Sequence, residues 1–231
     1  MRESILTIPI NETFEEKCGC PVCRMRDTLE QHSVEYIMGA AMMEPDVRIE
    51  TNKQGFCKEH FEQMRACKNR LSLALMLQTH LQELQKTVFD DKKFLETREG
   101  KNKKTTEKVS KIVNDCFVCG KIEWAMSRLI GNMFDLYRKE QEFRTLFAEQ
   151  EFLCLPHFKM LMRLSETDMD KSCKAGFRDT CTELVKKYLD ELEKDVSHYC
   201  KMYDYRNTGK DADWGNSKDS IERAIKFLTT R

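Results

Sequence analysis

Eight residues of this chain have the types and the spacing of two complete metal-ligand sets. Cys20-Pro21-Val22-Cys23 is followed after thirty-three residues by Cys57-Lys58-Glu59-His60. Cys116-Phe117-Val118-Cys119 is followed after thirty-four by Cys154-Leu155-Pro156-His157. Three thiolates and one imidazole fill the tetrahedral shell of a zinc ion, and a filled shell leaves no position for a substrate. Taking the motifs nearest in sequence together, Cys20, Cys23, Cys57 and His60 are expected to hold one Zn2+ and Cys116, Cys119, Cys154 and His157 a second. On that reading two zinc ions per chain are structural, and Cys57→Ser lowers metal content and melting temperature together.

Other chemistries fit less of the pattern. A Cys-x-x-Cys redox pair would form Cys20–Cys23 and Cys116–Cys119 disulfides and would leave both Cys-x-x-His motifs unexplained. Iron–sulfur clusters usually take four cysteines per site. A zinc hydrolase would need an open coordination position and a base such as Glu59, and the second copy carries Pro156 at that place. The other histidines, His32 on the apolar side of its helix, His80 and His198, are expected to be structural.

The duplication extends to the neighbours of the ligands. Glu44-Pro45-Asp46-Val47-Arg48 lines up with Glu140-Gln141-Glu142-Phe143-Arg144, and His60-Phe61 with His157-Phe158. The repeat also sorts the remaining cysteines. Asn114 stands where the first copy has Cys18, and Leu164 where it has Cys67. Cys173, Cys181 and Cys200 have no cysteine counterpart, so these five are expected to be packing or surface thiols.

Apolar periodicity supplies the elements that position the ligands. Ser4–Ile10 reads as a short extended segment. Met25, Leu29, Tyr36, Ala40 and Met43 predict a helix over roughly 24–44 that Pro45 ends, and 48–55 reads as a loop. Helical spacing resumes at Cys57 and continues, with a break near Asn69, through Leu71, Leu75, Leu81, Leu84 and Val88. In the second half Ile122, Met126, Leu129, Met133 and Leu136 predict one helix, Phe158, Leu161 and Met162 another. A long third helix follows through Phe177, Cys181, Leu184, Tyr188 and Leu192. No stretch alternates as a strand does. The fold class is therefore all-α: two tandem helical units of about three helices each, one Cys3His site per unit, and a short extended N-terminus. The expected division is 1–96, a linker over 97–110, 111–205, and a tail over 206–231 that ends in a short helix.

Each Cys-x-x-Cys precedes a helix and each Cys-x-x-His opens one. Backbone N–H groups at a helix start stabilise thiolates, and positions i and i+3 share a face, so Cys57 with His60, or Cys154 with His157, can reach one ion. Arg24, Lys58, Lys121 and Lys159 are placed to offset the negative charge of a zinc–trithiolate centre.

Composition limits the partners. With 39 basic and 39 acidic residues the formal charge is zero, which argues against nucleic acid or an anionic membrane as a dominant partner. No apolar run reaches the ~18 residues of a membrane span. Eleven cysteines after a polar N-terminus that does not read as a secretory signal point to reduced thiols and a cytoplasmic location.

The string Thr7-Ile8-Pro9-Ile10-Asn11-Glu12, with Cys20-Pro-Val-Cys23, Gly55-Phe56-Cys57-x-x-His60 and Cys154-Leu-Pro-His157-Phe158, resembles an uncharacterised bacterial family, mostly from Firmicutes, built on a domain of unknown function. The likeness runs from about residue 5 to 205. It implies no activity, substrate or partner. The functional expectation is a cytoplasmic zinc-binding helical protein that binds an unidentified protein or ligand partner, a reading that leans away from an enzyme; a thiol/zinc redox sensor is one alternative and a zinc-dependent hydrolase the other.

Overall fold

The computed structural model describes residues 6–89, 100–204, 206 and 213–230, with the side chains of 42, 89 and 100–105 excepted. Among the described residues there are eleven α-helices and no strand. In chain order they are α1 (Ile8–Glu15), α2 (Pro21–Met38), α3 (Pro45–Gln54), α4 (Lys58–Ala66), α5 (Arg70–Leu84), α6 (Gly100–Asn114), α7 (Phe117–Lys139), α8 (Gln141–Ala148), α9 (Leu155–Asp168), α10 (Lys171–Met202) and α11 (Ser220–Thr229).

Several elements differ from the periodicity reading. The N-terminus is not extended over its described part: α1 begins at Ile8, with Pro9 in its first turn, where a missing N–H costs nothing. Likewise Pro45 opens α3 as well as closing the segment before it, so 48–54 is helical and not a loop. A 3-10 turn over Ala40–Met43 separates α2 from α3. The expected linker over 97–110 is helical from Gly100 onward, as the first turns of α6; Arg98 and Glu99 lie outside the described residues. In the tail, 207–212 lie outside them too, a 3-10 turn covers Gly215–Ser217, and α11 is the short closing helix expected there. On α5 the periodic Leu71 and Leu81 are exposed, while Ser72 and Met76 are buried. The reason is Arg48 of α3, whose Nη2 donates to the Leu75 carbonyl at 2.8 Å and to Thr79 Oγ1 at 2.6 Å, which turns that face of α5 toward α3.

The chain forms two compact units, and their membership differs from a tandem split. One consists of residues 1–26 and 127–231 (the split unit); the other is residues 27–126 (the middle unit). Helices α2 and α7 each contribute their first turns to one unit and their remainder to the other. The core of the split unit is aromatic. Phe14 of α1 lies 5.1 Å from Phe143 and 5.5 Å from Phe147, both of α8, and Phe147 lies 5.2 Å from Phe177 of α10. Phe152 stacks on Tyr188 at 4.0 Å, and Phe227 of α11 packs on that pair. Offset and edge contacts of this kind add about 0.5–1.5 kcal/mol per pair beyond burial. The middle unit is built on Val34, Ile37, Met38, Met64, Met76, Val118 and Ile122, all buried, with an edge-on trio of Phe56, Phe61 and Phe117.

Candidate metal centres

All eight sequence-selected residues fall into two clusters of four, but the clusters exchange their Cys-x-x-Cys halves. Cys20, Cys23, Cys154 and His157 form one cluster, in the split unit; Cys57, His60, Cys116 and Cys119 form the other, in the middle unit. The pairing of nearest motifs is therefore wrong: Cys57 and His60 join Cys116 and Cys119, and Cys154 and His157 join Cys20 and Cys23. The physical reason is the placement of residues 6–26. Phe14 and Ile10 are fully buried, and Phe14 packs against α8, so the segment ending in Cys20 folds with the C-terminal half of the chain.

Local structure places each ligand at a helix start. Cys57 and Cys154 are the N-caps of α4 and α9, extended at φ −71° and −67°. Their carbonyls accept the Phe61 and Phe158 N–H groups at 3.0 and 2.8 Å, so the thiol and the histidine three residues later share one face. Cys20 and Cys116 sit immediately before α2 and α7, and their carbonyls accept from Arg24 and Gly120 at 3.2 and 3.0 Å. In the middle unit Gly55 joins the two motifs: its carbonyl accepts the Phe117 N–H at 3.0 Å, one residue beyond Cys116 and two before Cys57. Gly55 has φ +68° and ψ −158°, and a Cβ there would stand 2.9 Å from the His80 ring. Gly55→Ala should therefore destabilise the middle unit by about 1–3 kcal/mol. Chemical denaturation checks this, and an unshifted midpoint contradicts it.

The distances suit a closed tetrahedral shell. Bonds of about 2.3 Å to sulfur and about 2.0–2.1 Å to nitrogen give tetrahedral edges of roughly 3.8 Å between sulfurs and roughly 3.5 Å between sulfur and nitrogen. In the split-unit cluster Nδ1 of His157 lies 3.1 Å from Cys154 Sγ, 3.3 Å from Cys23 Sγ and 3.6 Å from Cys20 Sγ, and Cys23 and Cys154 are 3.6 Å apart. In the middle-unit cluster Nδ1 of His60 lies 3.0, 3.3 and 3.5 Å from Cys57, Cys116 and Cys119, and Cys57 is 3.9 Å from Cys119. These sulfur separations are far beyond a disulfide bond of about 2.05 Å. Both histidines present Nδ1 to the sulfurs. The outer nitrogen of His60, Nε2, is 2.9 Å from Glu30 Oε1 on α2, and both side chains are buried.

The electrostatics set one thiol of each cluster apart from its neighbours. Burial opposes ionisation of Cys20, but hydrogen bonds with Cys154, Cys23 and His157 outweigh it and hold that thiol well below its ordinary range. Its neighbours move the other way: Cys23 is raised, chiefly by its contact with Cys154, and Cys154 is pushed up to about 12, chiefly by Cys20. The middle-unit cluster behaves alike. Burial would raise Cys116, yet His60 and the neighbouring backbone bring it down to about 6. Burial and the charge of Cys116 push Cys119 up to about 12, and burial raises Cys57. For His60, Cys116 and Glu30 together outweigh burial and raise the imidazole. Within each cluster one thiol is favoured for ionisation and its neighbours are disfavoured, a conflict that a divalent cation among them would relieve.

The whole chain, residues 1–231, matches a family described as a family of unknown function, DUF6062. The chain belongs to the DUF6062 family. No curated protein and no solved structure matches it.

The remaining candidates in this DUF6062 chain lie outside both clusters. Cys18, Cys67 and Cys200 are exposed, Cys173 is half-buried, and Cys181 is a core thiol whose pKa is raised by burial. Cys67 closes α4 at the surface, one of the surface thiols expected outside the ligand sets. His32 is exposed, not on the buried side of α2. His80 and His198 are structural, bonded to the carbonyls of Asn52 and Asp213 at 2.8 and 2.9 Å. Arg24 donates from Nη1 to Glu16 and Cys18 and from Nη2 to Gln150 and the Thr13 carbonyl, which ties α1 to the start of α2. Glu59 is exposed, and the N–H groups at the start of α4 hold its carboxylate below the ordinary range, the reverse of what a general base at neutral pH needs. Sequence reasoning missed Glu30. Its signal was an acidic residue on a stripe otherwise formed by Val34, Ile37 and Met38.

Proposed function

We propose that both clusters are structural zinc centres and that this chain is a zinc-stabilised helical frame for binding a partner, not an enzyme. The observation that carries the reading is the set of four protein donors at tetrahedral edge lengths in each cluster, which leaves no coordination position for water or substrate. A Cys3His set favours zinc over an iron–sulfur cluster, which usually takes four cysteines. The order of elements, α1–α5 against α6–α10, supports two copies of one helical unit whose Cys-x-x-Cys segments have changed places. The free cysteines support a reducing compartment, the cytoplasm. No helix among the described residues is long and apolar enough to cross a membrane. Ile221, Ile225 and Leu228 are exposed along one face of α11, which favours an apolar protein or ligand partner over nucleic acid.

Metal analysis of protein purified without added metal tests this. Two zinc ions per chain are expected, and an empty or iron-loaded protein contradicts the reading. A redox-sensing role is the second reading, because Cys23, Cys57 and Cys119 are only half-buried and an oxidant can reach them. Two thiolates would then join as a disulfide, peroxide would be reduced to water, and the ion would leave. Retention of both ions under moderate peroxide removes that reading.

A further inference from the structure

The two centres share a ligand set but not their surroundings. Nδ1 of His60 faces the three sulfurs of its cluster, so with an ion bound at Nδ1 the ring proton sits on Nε2, and that nitrogen is buried. Glu30 Oε1, 2.9 Å away, lies within hydrogen-bonding reach of it, although not in line with the N–H direction. Among the described residues no other acceptor meets Nε2, and Glu30 is itself only 7 % exposed. His157 differs: among the described residues no carboxylate lies within ion-pair distance of its ring. Burying a ring nitrogen and a carboxylate costs free energy, and their contact at 2.9 Å offsets part of that cost.

We propose that Glu30 is a positioning residue for the middle-unit metal centre: it fixes the Nε2–H tautomer of His60, aims Nδ1 at the ion, and makes this centre unlike the one at His157. This role rests on reading the cluster as a metal centre. Glu30 reaches the ion only through the imidazole, as carboxylates behind metal-bound histidines do elsewhere, where removing them costs about 10–100-fold in metal affinity. It also adds a negative charge behind a ligand set that already carries three thiolates, which raises the basicity of His60 and strengthens its hold on a divalent cation.

The test uses the full chain loaded with cadmium, with metal release to a chelator followed by cadmium-113 resonances and the ring-nitrogen shifts of His60 read by NMR. In the wild type the expected pattern is a protonated Nε2 on His60. Glu30→Leu should release one ion about 10–100-fold faster, the one whose resonance Cys57→Ser also removes, and leave the other rate unchanged. Glu30→Gln, which keeps a polar oxygen near Nε2 but loses the charge, should lie between Glu30→Leu and the wild type. Equal release rates for Glu30→Leu and the wild type, or a proton on Nδ1 of His60, overturn the proposal. Should Glu30→Leu fail to fold, Glu30→Gln decides: faster release of that one ion than in the wild type supports the role, and an unchanged rate overturns it. A wild-type chain that binds no cadmium at all refutes the metal centre itself, which is a different result from unchanged release.

Discussion

Stripping both ions from the purified chain with a strong chelator will abolish its cooperative thermal transition, and the middle unit will lose the most helix. Magnitudes decide this. Structural zinc sites in small peptides are worth apparent free energies of about 10–16 kcal/mol at neutral pH, whereas a domain is typically stable by only about 5–15 kcal/mol. The middle unit spans residues 27–126, and its core leans on methionine and small aliphatic side chains, with Phe56, Phe61 and Phe117 gathered next to the cluster itself. Without an ion, burial raises the Cys57 and Cys119 thiols, so they would sit there as neutral groups with few partners. The split unit keeps the aromatic core of Phe14, Phe143, Phe147 and Phe177, and residual helix after chelation should come from it. Circular dichroism against temperature, before and after chelation, checks this. An unchanged melting curve would mean that the clusters do not hold the fold.

The second large effect follows from the exchange of motifs. Cys20→Ser and Cys154→Ser should behave as one class, each losing one ion and destabilising the split unit. Cys57→Ser and Cys116→Ser should form the other class, losing the other ion and destabilising the middle unit. Removing one ligand leaves a shell that must recruit water, and the remaining thiolates repel one another without full compensation. The two closures are nested. Cys23 meets Cys154 across 131 residues, and inside that span His60 meets Cys116 across 56. The longer closure costs about 0.7 kcal/mol more in chain entropy, a modest difference because the cost grows only with the logarithm of length. Either class should therefore retain one ion and part of its cooperative structure, and neither should lose both.

Much of this was legible in residue types and spacing. The paired motifs identified all eight cluster residues, and the absence of alternating patterns identified an all-helical chain. Helix-start chemistry put the thiols and histidines where Cys57 and Cys154 now stand as N-caps. The partnering of the motifs was not legible. Two Cys-x-x-Cys and two Cys-x-x-His motifs are chemically interchangeable, and the choice between them is made by where residues 6–26 pack, which depends on Phe14 meeting α8 across 129 residues of sequence. Periodicity also failed where proline opens a helix, as at Pro9 in a stretch read as extended and at Pro45, read only as a helix end. On α5 it selected Leu71 and Leu81, because a helix rich in leucine has more apolar positions than one buried face can use. Glu30 was invisible for a related reason: an acid on an apolar stripe has meaning only once its partner His60 is known.

Cadmium-113 NMR of the loaded chain and its four cysteine variants tests the exchanged pairing most directly. The wild type should give two resonances in the range of three-sulfur, one-nitrogen coordination. Cys20→Ser and Cys154→Ser should remove or shift the same resonance, and Cys57→Ser and Cys116→Ser the other. If Cys20→Ser and Cys57→Ser instead perturb one resonance together, each half of the chain holds its own ion and the exchanged pairing is wrong.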